Sequence, residues 1–136
     1  MNYVKELLVT IYRYIYSESA PSIDDDSTGS IEKAIRYIYN NYRKKLTLTE
    51  IAEICHMNPS YFSRLFKKTA GINLASYINT IRIKAAATLL MDTDMTIIEI
   101  ANECGYENLQ HFCEMFKKIK GVSARQFRKE FKGKEK

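Results

Sequence analysis

Residues 58–68 read Asn58-Pro-Ser-Tyr-Phe-Ser-Arg-Leu-Phe-Lys-Lys68, and the fold follows from the way this stretch must coil. Asn58 is a good N-cap, and Pro59 suits the first helical position, where its missing N–H would lack a partner anyway. Inside the helix, Phe62, Leu65 and Phe66 recur at i, i+3 and i+4, so they share one face and should pack inward. The opposite face carries Ser60, Ser63, Arg64 and Lys67. It is short, donor-rich and positive, with no carboxylate, which suits base edges flanked by phosphates in a major groove. A solvated helix face could have the same composition, so the flanking sequence has to decide.

On the N-terminal side, Thr47-Leu-Thr-Glu50 is a capping box: the Thr hydroxyl accepts from the N3 amide and Glu50 reaches back to the cap amide. It opens a short helix through about His56, with Ile51, Ala52 and Cys55 inward, and Met57 and Asn58 make a tight turn into the next helix. Two short helices joined by a tight turn form a helix-turn-helix. On the C-terminal side, Gly71 is a left-handed C-cap and Asn73 caps a helix reaching about Met91. Leu74, Tyr77, Ile78, Ile81, Ala85, Leu89 and Leu90 give it one apolar face and a length of about 27 Å. Then the pattern repeats. Thr96-Ile-Ile-Glu99 is a second capping box, and Ile100, Ala101 and Cys104 match Ile51, Ala52 and Cys55 at an offset of 49. Phe112, Phe116, Lys117, Lys118 and Gly121 match Phe62, Phe66, Lys67, Lys68 and Gly71 at an offset of 50, so one residue is inserted in the second turn, between Gly105 and Asn108. Ser123 with Gln126 makes a third capping box for a last helix through about Phe131, after which Gly133 to Lys136 should fray. Two such units on a stiff rod suit two successive major grooves, about 34 Å apart on one face of a duplex.

Ahead of this region, Ile31, Ala34, Ile35 and Ile38 mark a helix from about Ile31 to Arg43, with Ser30 as its cap. Ser17 to Ser30 reads as a linker, with Pro21, Gly29 and three consecutive aspartates. Residues 3–16 read as an amphipathic helix through Val4, Leu7, Leu8, Ile11 and Ile15. The expected organisation is therefore an amphipathic helix over 1–16 that ends an upstream domain, an acidic linker over 17–29, and an all-α double helix-turn-helix domain of seven helices over 30–132. Charge follows the same division: residues 1–30 balance to −3 and the remainder to +8, which favours a polyanionic partner for the latter. Cys55, Cys104 and Cys113 are odd in number with no C-x-x-C pair, so reduced thiols in the cytosol are expected. His56 and His111 add no zinc spacing, and no metal or cofactor is expected. The start carries neither a signal-peptide pattern nor a membrane span. No phosphate loop or nucleophile–base spacing points to an enzyme.

From about Ile31 to Phe131 the chain resembles the DNA-binding domain of the AraC/XylS family of bacterial transcription regulators. The resemblance is carried by Leu48-Thr-Glu-Ile-Ala52, Tyr61-Phe-Ser-Arg-Leu-Phe-Lys-Lys68, Arg82-Ile83, Thr93-Asp94, Ile98-Glu-Ile-Ala101, Gly105-Tyr106, Phe112, Phe116-Lys-Lys118, Gly121-Val-Ser123 and Phe127-Arg128. It implies seven helices, the third and sixth being recognition helices and the fourth the connector. Carried over, the base-facing residues are Ser60, Ser63 and Arg64 in the first unit and Leu109, Gln110, Cys113 and Glu114 in the second. Backbone contacts fall to Tyr61, Lys67, His111 and Lys117. Arg64 suits guanine and Gln110 suits adenine. Glu114 departs from the family's usual Arg or Lys; Lys118, four residues on, could neutralise it. Ala124 departs from the usual proline. The implied partners are double-stranded DNA and RNA polymerase, with a homodimer through an upstream domain and a nucleoid-associated, cytoplasmic location. The competing reading is a helical protein-interaction module that does not bind DNA.

Overall fold

The computed structural model describes residues 25–134. Among these, seven helices follow in order: α1 (Asp25–Asn41), α2 (Leu48–Ile54), α3 (Pro59–Ala70), α4 (Leu74–Asp92), α5 (Ile97–Glu103), α6 (Leu109–Lys120) and α7 (Ala124–Lys134). Two helix-turn-helix units, α2–α3 and α5–α6, are joined by α4, as the sequence predicts. The helix expected over residues 3–16 lies outside the described residues.

Each unit has its own core. In the first, Ile31, Ile35 and Ile38 of α1 pack with Ile51, Phe62, Phe66 and Tyr77. In the second, Ile83, Ala86 and Leu90 pack with Ile100, Phe112, Phe116 and Phe127. The aromatic arrangement repeats with the sequence. The Phe62 and Phe66 rings lie 5.8 Å apart, and Phe66 meets Tyr77 edge-on at 5.3 Å. Phe112 and Phe116 lie 5.9 Å apart, and Phe116 meets Phe127 edge-on at 5.4 Å. Such edge-to-face pairs contribute roughly 0.5–1.5 kcal/mol beyond the area they bury.

Four expectations are corrected. First, α1 begins at Asp25 rather than Ile31, so Ser30 lies inside the helix and the segment read as linker overlaps its first turns. Acidic residue types are favourable in a first helical turn because they complement the macrodipole, so an aspartate run need not mark a linker. Second, only half of the first capping box forms. The Glu50 amide donates to Thr47 Oγ1 at 3.1 Å, but the Glu50 carboxylate accepts from the Tyr37 hydroxyl instead of the cap amide. Third, α4 is apolar on two sides. Leu74, Tyr77, Ile78 and Ile81 enter the first core, while Ile83, Ala85, Ala86, Ala87 and Leu90 enter the second, and Leu89 is only half-buried. A helix shared by two cores cannot keep one stripe, and the alanines let α5 and α7 approach closely. Fourth, α7 runs on through Gly133 to Lys134. Ala124, where proline was expected, is buried at the first position of α7, and Ser123 Oγ accepts from the Gln126 amide at 3.1 Å.

Candidate nucleic-acid interface

The local geometry of each unit comes from matching caps. Helix α3 starts at Asn58, whose side chain accepts from the Ser60 and Tyr61 amides at 2.8 and 3.3 Å. Helix α6 starts at Asn108, which accepts from the His111 amide at 2.9 Å. The first helix of the second unit has the complete capping box: Glu99 N donates to Thr96 Oγ1 at 3.1 Å, and Thr96 N donates to Glu99 Oε1 at 2.8 Å. Both turns begin as Schellman motifs. His56 and Met57 donate to the Glu53 and Ala52 carbonyls at 3.0 and 2.9 Å, while Gly105 and Tyr106 donate to Asn102 and Ala101 at 3.2 and 2.9 Å. These bonds keep the offset of 49 as far as Tyr106, so the inserted residue is Glu107. The left-handed position of this motif is His56 (φ +56°) in the first unit and Gly105 (φ +96°) in the second.

The recognition faces follow. In α3, Phe62 and Phe66 are fully buried and Leu65 is half-buried, leaving Ser60, Tyr61, Arg64 and Lys67 exposed. Ser63 is half-buried, because it lines a recess of about 380 Å³ with Leu48, Asn73 and Ala75. In α6, Leu109, Gln110, His111, Cys113, Glu114 and Lys117 are all exposed. A matching recess of about 470 Å³ is lined by Ile97, Cys113, Ser123 and Arg125, together with Leu109 and Ile98. The second face is the more apolar, since Ile98 and Leu109 stand 57% and 40% exposed where the first unit has Thr49 and Pro59. Glu114 pairs with Gln110, whose Nε2 lies 3.5 Å from Glu114 Oε2, rather than with Lys118.

Burial accounts for the two inward thiols. It pushes Cys55 up and Cys104 to about 12, although Arg43 and Arg82 pull the latter down. Both stay protonated and unreactive near neutral pH, and only Cys113 is exposed. Among the described residues, no group of three or more His, Cys, Asp or Glu could hold a metal ion, and no helix is long and apolar enough to cross a membrane.

Sequence reasoning missed two arginines that tie the ends of helices to later elements, Arg82 between the connector and the loop after α1 and Arg128 within the second unit. Arg82 of α4 donates through Nε to the Tyr42 carbonyl and through Nη2 to the Lys44 carbonyl, both at 2.9 Å. Arg128 of α7 donates to the Leu90, Met95 and Thr93 carbonyls at 3.1, 2.6 and 2.9 Å. Both arginines lie in stretches quoted above for the resemblance, but their partners are about forty residues away or nearly so, beyond the reach of local patterns. Gly105 also touches the first unit: a Cβ there would meet the Tyr42 carbonyl oxygen at 2.6 Å.

Comparison with known proteins agrees with this geometry. Residues 51–130 match the model of a helix-turn-helix domain family. The chain is 36% identical over 99 residues to the HTH-type transcriptional regulator YtdP of Bacillus subtilis, covering 73% of this chain and 13% of that protein. It is 39% identical over 98 residues to the bifunctional transcriptional activator/DNA repair enzyme AdaA of the same organism, covering 72% of this chain and 46% of that protein. The chain thus spans less than half the length of these two relatives. Among solved structures, the C-terminal domain of AraT, a response regulator from Geobacillus stearothermophilus, superposes with a TM-score of 0.71 at 37% identity, covering 74% of this chain and 84% of that one.

Proposed function

The chain belongs to the AraC/XylS family of helix-turn-helix transcription regulators and carries a DNA-binding domain of that type, and from this premise we propose how it reads DNA. Helices α3 and α6 enter successive major grooves of one duplex face, with α4 setting their spacing. Ser60, Ser63 and Arg64 read bases in the first groove, and Leu109, Gln110, Cys113 and Glu114 read them in the second. Tyr61, Lys67, His111 and Lys117 hold the sugar–phosphate backbone. The observation that carries this reading is the repeated unit: Asn caps on the recognition helices, the same Schellman turns and the same aromatic core occur twice, on either side of one helix of about 28 Å. A helical interaction module would not need two copies of one outward face at such a spacing.

The regulator acts in the cytoplasm at the nucleoid and contacts RNA polymerase when bound. Residues 1–16 end an upstream sensing domain through which the protein pairs as a homodimer, a reading supported by the apolar stripe of Val4, Leu7, Leu8 and Ile11 and by the switch from acidic to basic sequence. Selection of binding sites from a random duplex pool tests the DNA-binding reading. The selected sites should contain two half-sites about 10–10.5 base pairs apart, with affinity falling steeply as salt rises. Arg64→Ala should lose about 1–3 kcal/mol on that site and relax the preference at one base position. A chain that enriches no sequence and binds duplex without salt dependence would leave the interaction module as the better reading.

A further inference from the structure

A cleft of about 420 Å³ lies between the two units. Its walls are Arg43, Lys44 and Lys45 from the loop after α1, Arg82 from α4, and His111 from the first turn of α6; one carboxylate, Glu107, also faces it. Leu46 lines both this cleft and the recess holding Ser63 of α3. The cleft therefore opens on the surface that runs from one recognition helix to the other. Its floor is rigid: Arg82 grips the loop at two carbonyls, and Gly105 backs onto a third contact at Tyr42.

Its charge is compensated only in part. Arg43 pairs with Glu103 at 3.1 Å. Arg82 has carbonyl oxygens and the Tyr106 ring as neighbours, and Lys44 lies 5.5 Å from the Tyr37 ring. Among the described residues, Lys45 has no carboxylate in ion-pair range. A protein that spans two successive major grooves must straddle the sugar–phosphate strand between them, and a fixed concave cluster of cations on the connecting surface matches that strand.

We infer that this cleft seats backbone phosphates of the strand crossing between the two major grooves, with Lys44 and Lys45 as the contacting cations and Arg82 as the positioning residue that holds their loop. The inference rests on the DNA-binding reading above and adds contacts outside both recognition helices. It also gives the two units a shared anchor that would fix their register on the duplex.

Lys44 and Lys45 are exposed, so the Lys44→Gln/Lys45→Gln double variant should fold as the parent does. Binding of both proteins is titrated against salt on a duplex selected by the parent chain. Two lost phosphate contacts should make the log–log salt slope shallower by about 1.8, so the parent's affinity falls about tenfold further than the variant's between about 50 and about 200 mM salt. Sequence preference should not change. Single neutral methylphosphonates are then placed between the two half-sites. At one or two positions they should weaken the parent about three- to tenfold and leave the variant unaffected. A variant with the parent's slope, or methylphosphonates that weaken both proteins equally, overturns the phosphate seat while the selected sequence still stands. A parent chain that shows no salt-dependent binding at all overturns both readings.

Discussion

At Gly105 two demands meet on one residue. Its φ of +96° lies in the left-handed region, and a methyl group there would press on the Tyr42 carbonyl oxygen at 2.6 Å and Arg82 Nε at 3.1 Å. Gly121 has a similar φ of +86° but open space around the missing Cβ. The comparison separates conformational cost from crowding. Gly121→Ala should lose about 1 kcal/mol through backbone strain alone, whereas Gly105→Ala should lose about 3 kcal/mol or more, because the crowding atom is backbone and cannot swing aside. Thermal unfolding of the two variants decides this, and equal falls in Tm would show that the turn of the second unit does not sit against the Tyr42 loop. His56 holds the equivalent position in the first unit at φ +56° and is exposed. The sequence marks Gly105 as part of the family resemblance and as a place where the second turn differs from the first. It cannot show Tyr42, sixty-three residues earlier, which makes glycine necessary there.

Helix ends divide into those closed locally and those closed from afar, and only the former can be read from sequence. The caps at Thr96, Asn58 and Asn73 are formed as expected because each partner lies two or three residues away, whereas at Ser123 only the Gln126 amide bond of the expected box is made. Glu50 departs from expectation because the Tyr37 hydroxyl, on another helix, takes its carboxylate. The C-terminal ends of α1 and α4 are met by arginines from later helices: Arg82 closes the first, and Arg128 closes the second with three bonds. A guanidinium suits the task, being a cation against the negative end of a helix with its donors in a fixed fork. Arg128→Ala would strand three carbonyls and should lose at least about 2 kcal/mol, a fall in Tm of about 10 °C. Arg128→Lys should recover less than half of that, because one ammonium cannot span the three oxygens. Full recovery by lysine would mean that the site needs charge alone.

Across the whole molecule, the repeat was legible because its two copies match position for position apart from a slip of one residue, for which Glu107 accounts. The inter-unit cleft was not legible, since it joins a loop, a connector and a turn that are distant in sequence, and neither was the two-sided burial of α4. The same repeat supports an unequal division of labour. At matched positions the first face offers Ser60, Ser63 and Arg64, and the second offers Gln110, Cys113 and Glu114. Glu114 is exposed, and its partner is the neutral Gln110 at 3.5 Å, so its charge is not cancelled within the helix. A carboxylate in a major groove can accept from a cytosine amino group, but it lies in the field of two phosphate strands, so it adds selectivity at the expense of affinity. On the proposed reading Arg64 would gain from the same field. The first unit should therefore supply most of the affinity. Glu114→Gln should tighten binding to random duplex about two- to fivefold and Arg64→Gln should loosen it by at least as much, both at the same moderate salt. The difference should shrink as salt rises and screening increases. If Glu114→Gln instead weakens binding as much as Arg64→Gln, the carboxylate makes a favourable contact of its own and the two units are equal readers.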